Sequence, residues 1–75
     1  MLIRYHGRNE TQADVGDYVR YQTVDGVFHE GILVKVESPA WPHNITYLSL
    51  LVGGAMKRIN SNLIFVFRTI AKLGE

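Results

Sequence analysis

From Val15 onward, short runs rich in β-branched and aromatic residues are separated by clusters of Gly, Asn, Asp and Pro, the pattern of a chain built from strands and turns. Asp17 to Val24 predicts a first strand and Val27 to Glu37 a longer second one. Ile45 to Val52 predicts a third, Ala55 to Ile59 a short fourth, and Leu63 to Phe67 a fifth. On the second strand Phe28, Ile32, Val34 and Val36 share one parity, and on the third Leu48, Leu50 and Val52 do. Residues of one parity line one face of a strand. No helical stripe, internal repeat or low-complexity segment interrupts this pattern.

The turns carry their own chemistry. Asp25-Gly26 and Gly53-Gly54 each offer the positive-φ pair that a two-residue hairpin needs. Asn60-Ser61-Asn62 is a further turn cluster. Ser38 to Asn44 holds Pro39 and Pro42, which remove backbone donors and predict an extended, exposed loop. Gly31, alone inside a strongly strand-forming run, marks a bend or bulge where a small sheet curls on itself. Met1 to Asp14 reads as an N-terminal arm or an extra edge strand, and residues 69–75 as a tail. The expected fold is all-β: a small, strongly bent, five-stranded antiparallel barrel over residues 15–68, since a sandwich needs more strands and more chain.

Seventy-five residues make one domain with a marginal core. There is no cysteine to cross-link it, and His6, His29 and His43 are the only histidines. Oligomerisation is then the common route to stability. The chain shows neither a signal-peptide pattern nor an apolar run long enough to span a bilayer, so a cytoplasmic protein without membrane contact is expected. The formal charge of +1 hides an asymmetry: residues 1–37 carry four basic and six acidic side chains, net −2, and residues 38–75 four basic and one acidic, net +3. Local fields steer anions more than net charge does, so the C-terminal half suits an anionic partner.

Catalysis finds no support. No nucleophile motif surrounds Ser38, Ser49 or Ser61, and His29 and Glu30, as strand neighbours, face opposite ways. No histidine spacing suggests a metal, and no cofactor motif is present. Asn44-Ile45-Thr46 matches a glycosylation acceptor, a match without weight where no secretory signal accompanies it.

Asp25-Gly26, then Gly31-Ile32-Leu33, then Glu37, then Asn44-Ile45 before a strand, together resemble the first motif of the Sm/LSm family of RNA-binding ring proteins. Arg58-Ile59-Asn60-Ser61-Asn62-Leu63-Ile64-Phe65-Val66 occupies the place of the second, with Asn60-Ser61 where the family favours Arg-Gly. The likeness spans Asp17 to Arg68. A weaker resemblance, to Tudor and KOW modules, rests on Val15-Gly16-Asp17-Tyr18-Val19 followed by Asp25-Gly26 and a long strand.

The first resemblance implies a homo-oligomeric ring, closed by pairing residues 55–59 of one copy with 63–67 of the next, and single-stranded, U- or A-rich RNA held by loops at the pore. It implies RNA contacts at Glu37, Trp41, His43, Asn44, Arg58, Asn60, Ser61 and Asn62. Trp41 or His43 would stack on a base, Asn44 would read a base edge and Arg58 would meet phosphate, while Glu37 orients its loop. The second resemblance implies a protein- or peptide-binding module with Tyr21, Phe28 and Tyr47 as an aromatic cage. A ring serving as a protein scaffold without RNA is the third reading.

Overall fold

A computed structural model describes residues 2–6, 9–38 and 46–72. Among these the chain forms seven strands: β1 (Leu2–Tyr5), β2 (Asn9–Gln12), β3 (Asp17–Thr23), β4 (Phe28–Glu37), β5 (Tyr47–Val52), β6 (Ala55–Asn60) and β7 (Ile64–Lys72), with a 3-10 turn at Ser61–Leu63 before the last. The strands β3 to β7 build one antiparallel sheet in the order β6-β5-β4-β3-β7, and β1 and β2 form a separate hairpin. This is the small all-β fold the pattern predicts. The sheet's end strands, β6 and β7, do not pair with each other, so no backbone ladder closes it. No helix among the described residues is long and apolar enough to cross a membrane.

The core joins both sheets. Ile3, Ala13, Val19, Tyr21, Leu33, Leu48, Leu50, Ile64 and Phe67 form one buried cluster, with Tyr5, Val36, Val52 and Ile59 packed against it. Leu48, Leu50 and Val52 face inward as their parity predicts. On β4 the inward set differs: Leu33 is buried, Val34 is exposed and Phe28 is 54% exposed. The cause is a bulge. Leu33 pairs with Leu50 and Lys35 with Ser49, so Val34 is an extra residue that reverses the alternation. Odd positions point inward before it, and Val36 does so after it.

Gly31 answers to a close approach. A Cβ there would collide with the Leu51 carbonyl oxygen and lie 2.8 Å from Val52 Cγ2. Gly53 and Gly54 both have positive φ (57° and 81°), the two-residue turn expected between β5 and β6. The β3–β4 turn is one residue longer than predicted. Among the described residues no non-glycine has positive φ, so Asp25 does not, whereas Gly26 sits at 91°. Gly26 N donates to Thr23 O (2.9 Å) and Thr23 N to Val27 O (3.0 Å), which makes a β-turn over residues 23–26 that ends on a left-handed glycine. The Asp25 carboxylate accepts from the Thr23 hydroxyl and the Val27 amide, fixing the loop from within.

Both ends of the chain do more than the pattern shows. The β1–β2 hairpin inserts Ile3 into the core. Three bonds tie this hairpin to β7: His6 N to Ile64 O (3.0 Å), Thr11 Oγ1 to Phe67 O (3.0 Å) and Thr69 Oγ1 to Gln12 O (2.9 Å). Residues 69–72, read as tail, continue β7 along β3, pairing Thr69 with Val19 and Lys72 with Asp17. Register shifts along this pairing break the period-2 signal that would have revealed it.

Candidate nucleic-acid interface at the loop end of the sheet

The two-residue turn at Gly53-Gly54 sets the geometry of the site. It makes Val52 and Ala55 the closing hydrogen-bonded pair, and counting back places Ser49 opposite Arg58, Leu48 opposite Ile59, and Tyr47 opposite Asn60. The ladder continues beyond β5 and β6, where Ser61 N donates to Thr46 O at 2.8 Å. On the other side of β5, Tyr47 faces Glu37 at the end of β4. Glu37, Tyr47 and Asn60 therefore form one row across three strands.

Side chains converge on this row. The Arg58 guanidinium lies 4.1 Å from the centre of the Tyr47 ring, and its Nε is 3.4 Å from Glu37 Oε1. Lys35 Nζ approaches the same carboxylate oxygen at 4.0 Å. Two cations thus share one anion, and the Arg58 side chain remains 55% exposed. Packed over the Tyr47 ring, the guanidinium keeps a charged surface open to a second planar group or to a phosphate. Lys57 pairs with buried Leu50 and so projects from the opposite face to Arg58.

The Asn60 turn is built from local bonds. Asn60 Oδ1 accepts from Asn62 N at 2.9 Å and caps the 3-10 turn, while the Asn62 side chain is exposed. Ser61 is 2% exposed and directed into the fold, so its part is to continue the ladder. The long loop leaves the sheet at Ser38 and returns at Thr46, whose hydroxyl groups are 3.3 Å apart. Trp41, His43 and Asn44, which that loop carries, lie outside the described residues.

Of the eight residues expected to contact RNA, the structure gathers Glu37, Arg58, Asn60 and Asn62 at one end of the sheet and places Ser61 inside it. Sequence reasoning assigned Tyr47 to a cage and missed it as the seat of Arg58. The signal was present, because the Gly53-Gly54 turn fixes the register that brings the two together. The three aromatic residues of the cage do not meet. Tyr21 is buried and stacked on His29 at 5.1 Å between centroids. Phe28 stands at the far end of β4 from the Glu37–Tyr47 pair.

Among the described residues, no group of three or more His, Cys, Asp or Glu side chains is placed to hold a metal ion. Set beside known proteins, the chain matches no family model, no curated protein and no solved structure.

Proposed function

We propose that this chain is a cytoplasmic, Sm-like module that binds single-stranded, U- or A-rich RNA at the loop end of its sheet. The observation that carries the reading is the Glu37–Tyr47–Asn60 row, which draws the two loops expected to hold RNA to one place. Arg58, over the Tyr47 ring and exposed, supplies a cation and a planar group there. Trp41, His43 and Asn44 belong to the loop anchored at the same row and would complete it.

Assembly into a ring rests on the two end strands. Alternation from the Val52–Ala55 pair turns the N–H and C=O groups of Met56, Arg58 and Asn60 away from β5, towards an edge that no described strand pairs. On β7, Phe65 and Val66 are exposed apolar residues next to that strand's own edge. A second copy docking there shares β7 with the N-terminal hairpin, which takes the Ile64 and Phe67 carbonyls. That contact favours a second reading: a monomer whose β6 edge, paired by no other described strand beyond β5, accepts an extended peptide.

Native mass spectrometry at micromolar concentration separates the two states. Fluorescence anisotropy with labelled oligo-U and oligo-A then tests the site. For contacts to Z phosphates of a single strand, log K should fall against log salt with a slope of about −0.7Z. Arg58→Gln should weaken binding while leaving the particle mass unchanged. A flat salt series, or undiminished affinity in that variant, removes RNA from the reading. A ring that binds no RNA would leave the scaffold role.

A further inference from the structure

A second cluster lies on the outer face of the sheet, at the opposite end of β4 from Glu37. Two register rows cross there, Phe28–Gln22–Val66 and Glu30–Arg20–Arg68, and their side chains share one face because the rows are two residues apart on every strand. Arg20, Tyr21, Gln22, Phe28, Val66 and Arg68 line a groove of about 220 Å³. That is below the roughly 300–1,000 Å³ of drug-sized ligand sites, so it suits a single small unit.

The charge arrangement is unusual. Arg20 and Arg68 stand directly opposite each other on antiparallel strands, an arrangement that destabilises when unrelieved. Arg20 lies 5.0 Å from the centre of the Phe28 ring, and its Nε is 3.7 Å from Glu30 Oε1. Glu30 is also engaged by Tyr18, whose hydroxyl donates to it at 3.1 Å. Among the described residues no carboxylate lies within ion-pair reach of Arg68. Glu30 thus compensates Arg20 while no described carboxylate compensates Arg68, so an anion reaching both side chains would supply the missing charge through charge-assisted hydrogen bonds.

We propose that this groove binds a nucleoside 5′-monophosphate, with its phosphate between Arg20 and Arg68 and its base on Phe28 beside Gln22. Three observations select this ligand. A phosphomonoester carries a charge of about −1.5 to −2 at neutral pH and so matches two guanidinium groups, where a phosphodiester brings one charge. The two rows are separated by two residues, about 6.5 Å along a strand, which leaves room for a ribose between phosphate and base. The Gln22 amide donates its Nε2 to Gly26 O at 3.3 Å, which holds its plane and leaves Oε1 to accept from an exocyclic amino group. That last contact favours a base over a phenol ring, and adenine over uracil.

Titration of the full chain with AMP, adenosine, UMP, inorganic phosphate and phosphotyrosine, followed by calorimetry and amide NMR, tests the site. AMP should bind saturably, with shifts centred on residues 20, 22, 28, 66 and 68. Adenosine and inorganic phosphate should each bind at least about tenfold more weakly, as loss of charge-assisted or stacking contacts requires. UMP should fall between. Arg68→Gln should reduce AMP affinity by a similar factor without unfolding the protein, since it relieves the opposed charges. Phe28→Ser should do so by removing the stacking face. Arg58→Gln should leave AMP binding intact, which keeps this site distinct from the loop-end reading. Binding of phosphate as tight as AMP, tighter binding of phosphotyrosine, no saturation in the millimolar range, or indifference to Arg68→Gln would each overturn the proposal.

Discussion

Gly31→Ala tests the account of how β4 and β5 meet. Gly31 is buried, and an added methyl would collide with the Leu51 carbonyl and stand 2.8 Å from Val52 Cγ2. Its φ is not positive, so backbone strain does not enter and the change is a packing effect. Removing a glycine restricts the unfolded chain and on its own stabilises by about 0.4–1 kcal/mol where the native backbone accepts alanine. Against this stands overpacking, typically about 1–3 kcal/mol, and here the obstructing atom is backbone, which yields only if β5 moves. The balance is a net loss of about 1–2.5 kcal/mol. In a domain of this size each kcal/mol lowers the melting temperature by about 4–8 °C, so a fall of roughly 5–20 °C is expected in a thermal scan followed by circular dichroism.

Gly26→Ala is the matched control. Nothing lies within 4 Å of its Cβ position, but its φ is +91°. It should lose about 1–2 kcal/mol from backbone strain alone. Val52→Ala added to Gly31→Ala should recover part of the loss, because it withdraws Cγ2 and leaves the carbonyl in place. A Gly31→Ala protein as stable as the parent, or a double variant less stable than the sum of its two changes, would refute the close approach.

Other expectations concern separate parts of the fold. The Lys72 ammonium is held above its ordinary pKa of 10.5, chiefly by its hydrogen bond to Asp17 at 3.2 Å. Its raised folded pKa means that the contribution is complete below the unfolded value and fades as pH rises through the folded one. Urea midpoints should therefore drop in the alkaline range above 10.5, and Lys72→Met should flatten that limb. The Asp25 carboxyl is depressed below 3.8, first by the Thr23 hydroxyl, so its contribution is present above that pH and fades below it; Asp25→Asn should remove this acid-side dependence from the same titration. Ile3→Ala should cost about 2–5 kcal/mol in chemical denaturation, as for a buried core side chain, where a dangling arm would lose almost nothing. Thr11→Val with Thr69→Val removes two clamps on β7 and should cost about 1–3 kcal/mol. If the hairpin restrains pairing at β7, native mass spectra of this variant will shift towards oligomer; an unchanged mass would show that it does not.

The five central strands were legible because each has a residue signal that acts locally. Gly53-Gly54 illustrates this best: two positive-φ residues fix the turn, and the turn fixes the pairing of Tyr47 with Asn60 and hence the site row. What escaped depends on how strands pair rather than on any residue's own propensity. Val34 is an ordinary β-former, and nothing in its neighbourhood announces the extra residue that reverses the inward face of β4. Asn9–Gln12 is uniformly polar and becomes a strand by pairing with Leu2–Tyr5, while Thr69–Lys72 does so by lying along β3. The Arg20–Arg68 opposition was invisible for the same reason, since the β3–β7 ladder places side by side two positions 48 apart in the chain.

The two edges of the sheet are protected by different means, and this bears on what the protein can bind. β6 carries Lys57 and Arg58, exposed on opposite faces, so an incoming strand meets charge on either side. Such an edge resists indiscriminate apolar pairing yet accepts a partner with complementary charge. β7 exposes Phe65, Val66 and Ile70 alongside Arg68 and Lys72, and here the chain supplies cover itself, through His6 and Thr11 on the carbonyls of Ile64 and Phe67. A small domain without disulfides gains twice from the hairpin, because Ile3 enlarges a core that five strands leave thin while the same segment shields the edge most prone to aggregation. Any assembly through β7 must therefore replace the hairpin's hydrogen bonds with equivalent ones, whereas among the described residues the outer edge of β6 pairs with no strand. Were copies of the chain to assemble, β6 would therefore offer the first contact, and the stability of the hairpin would decide whether a second copy completes it.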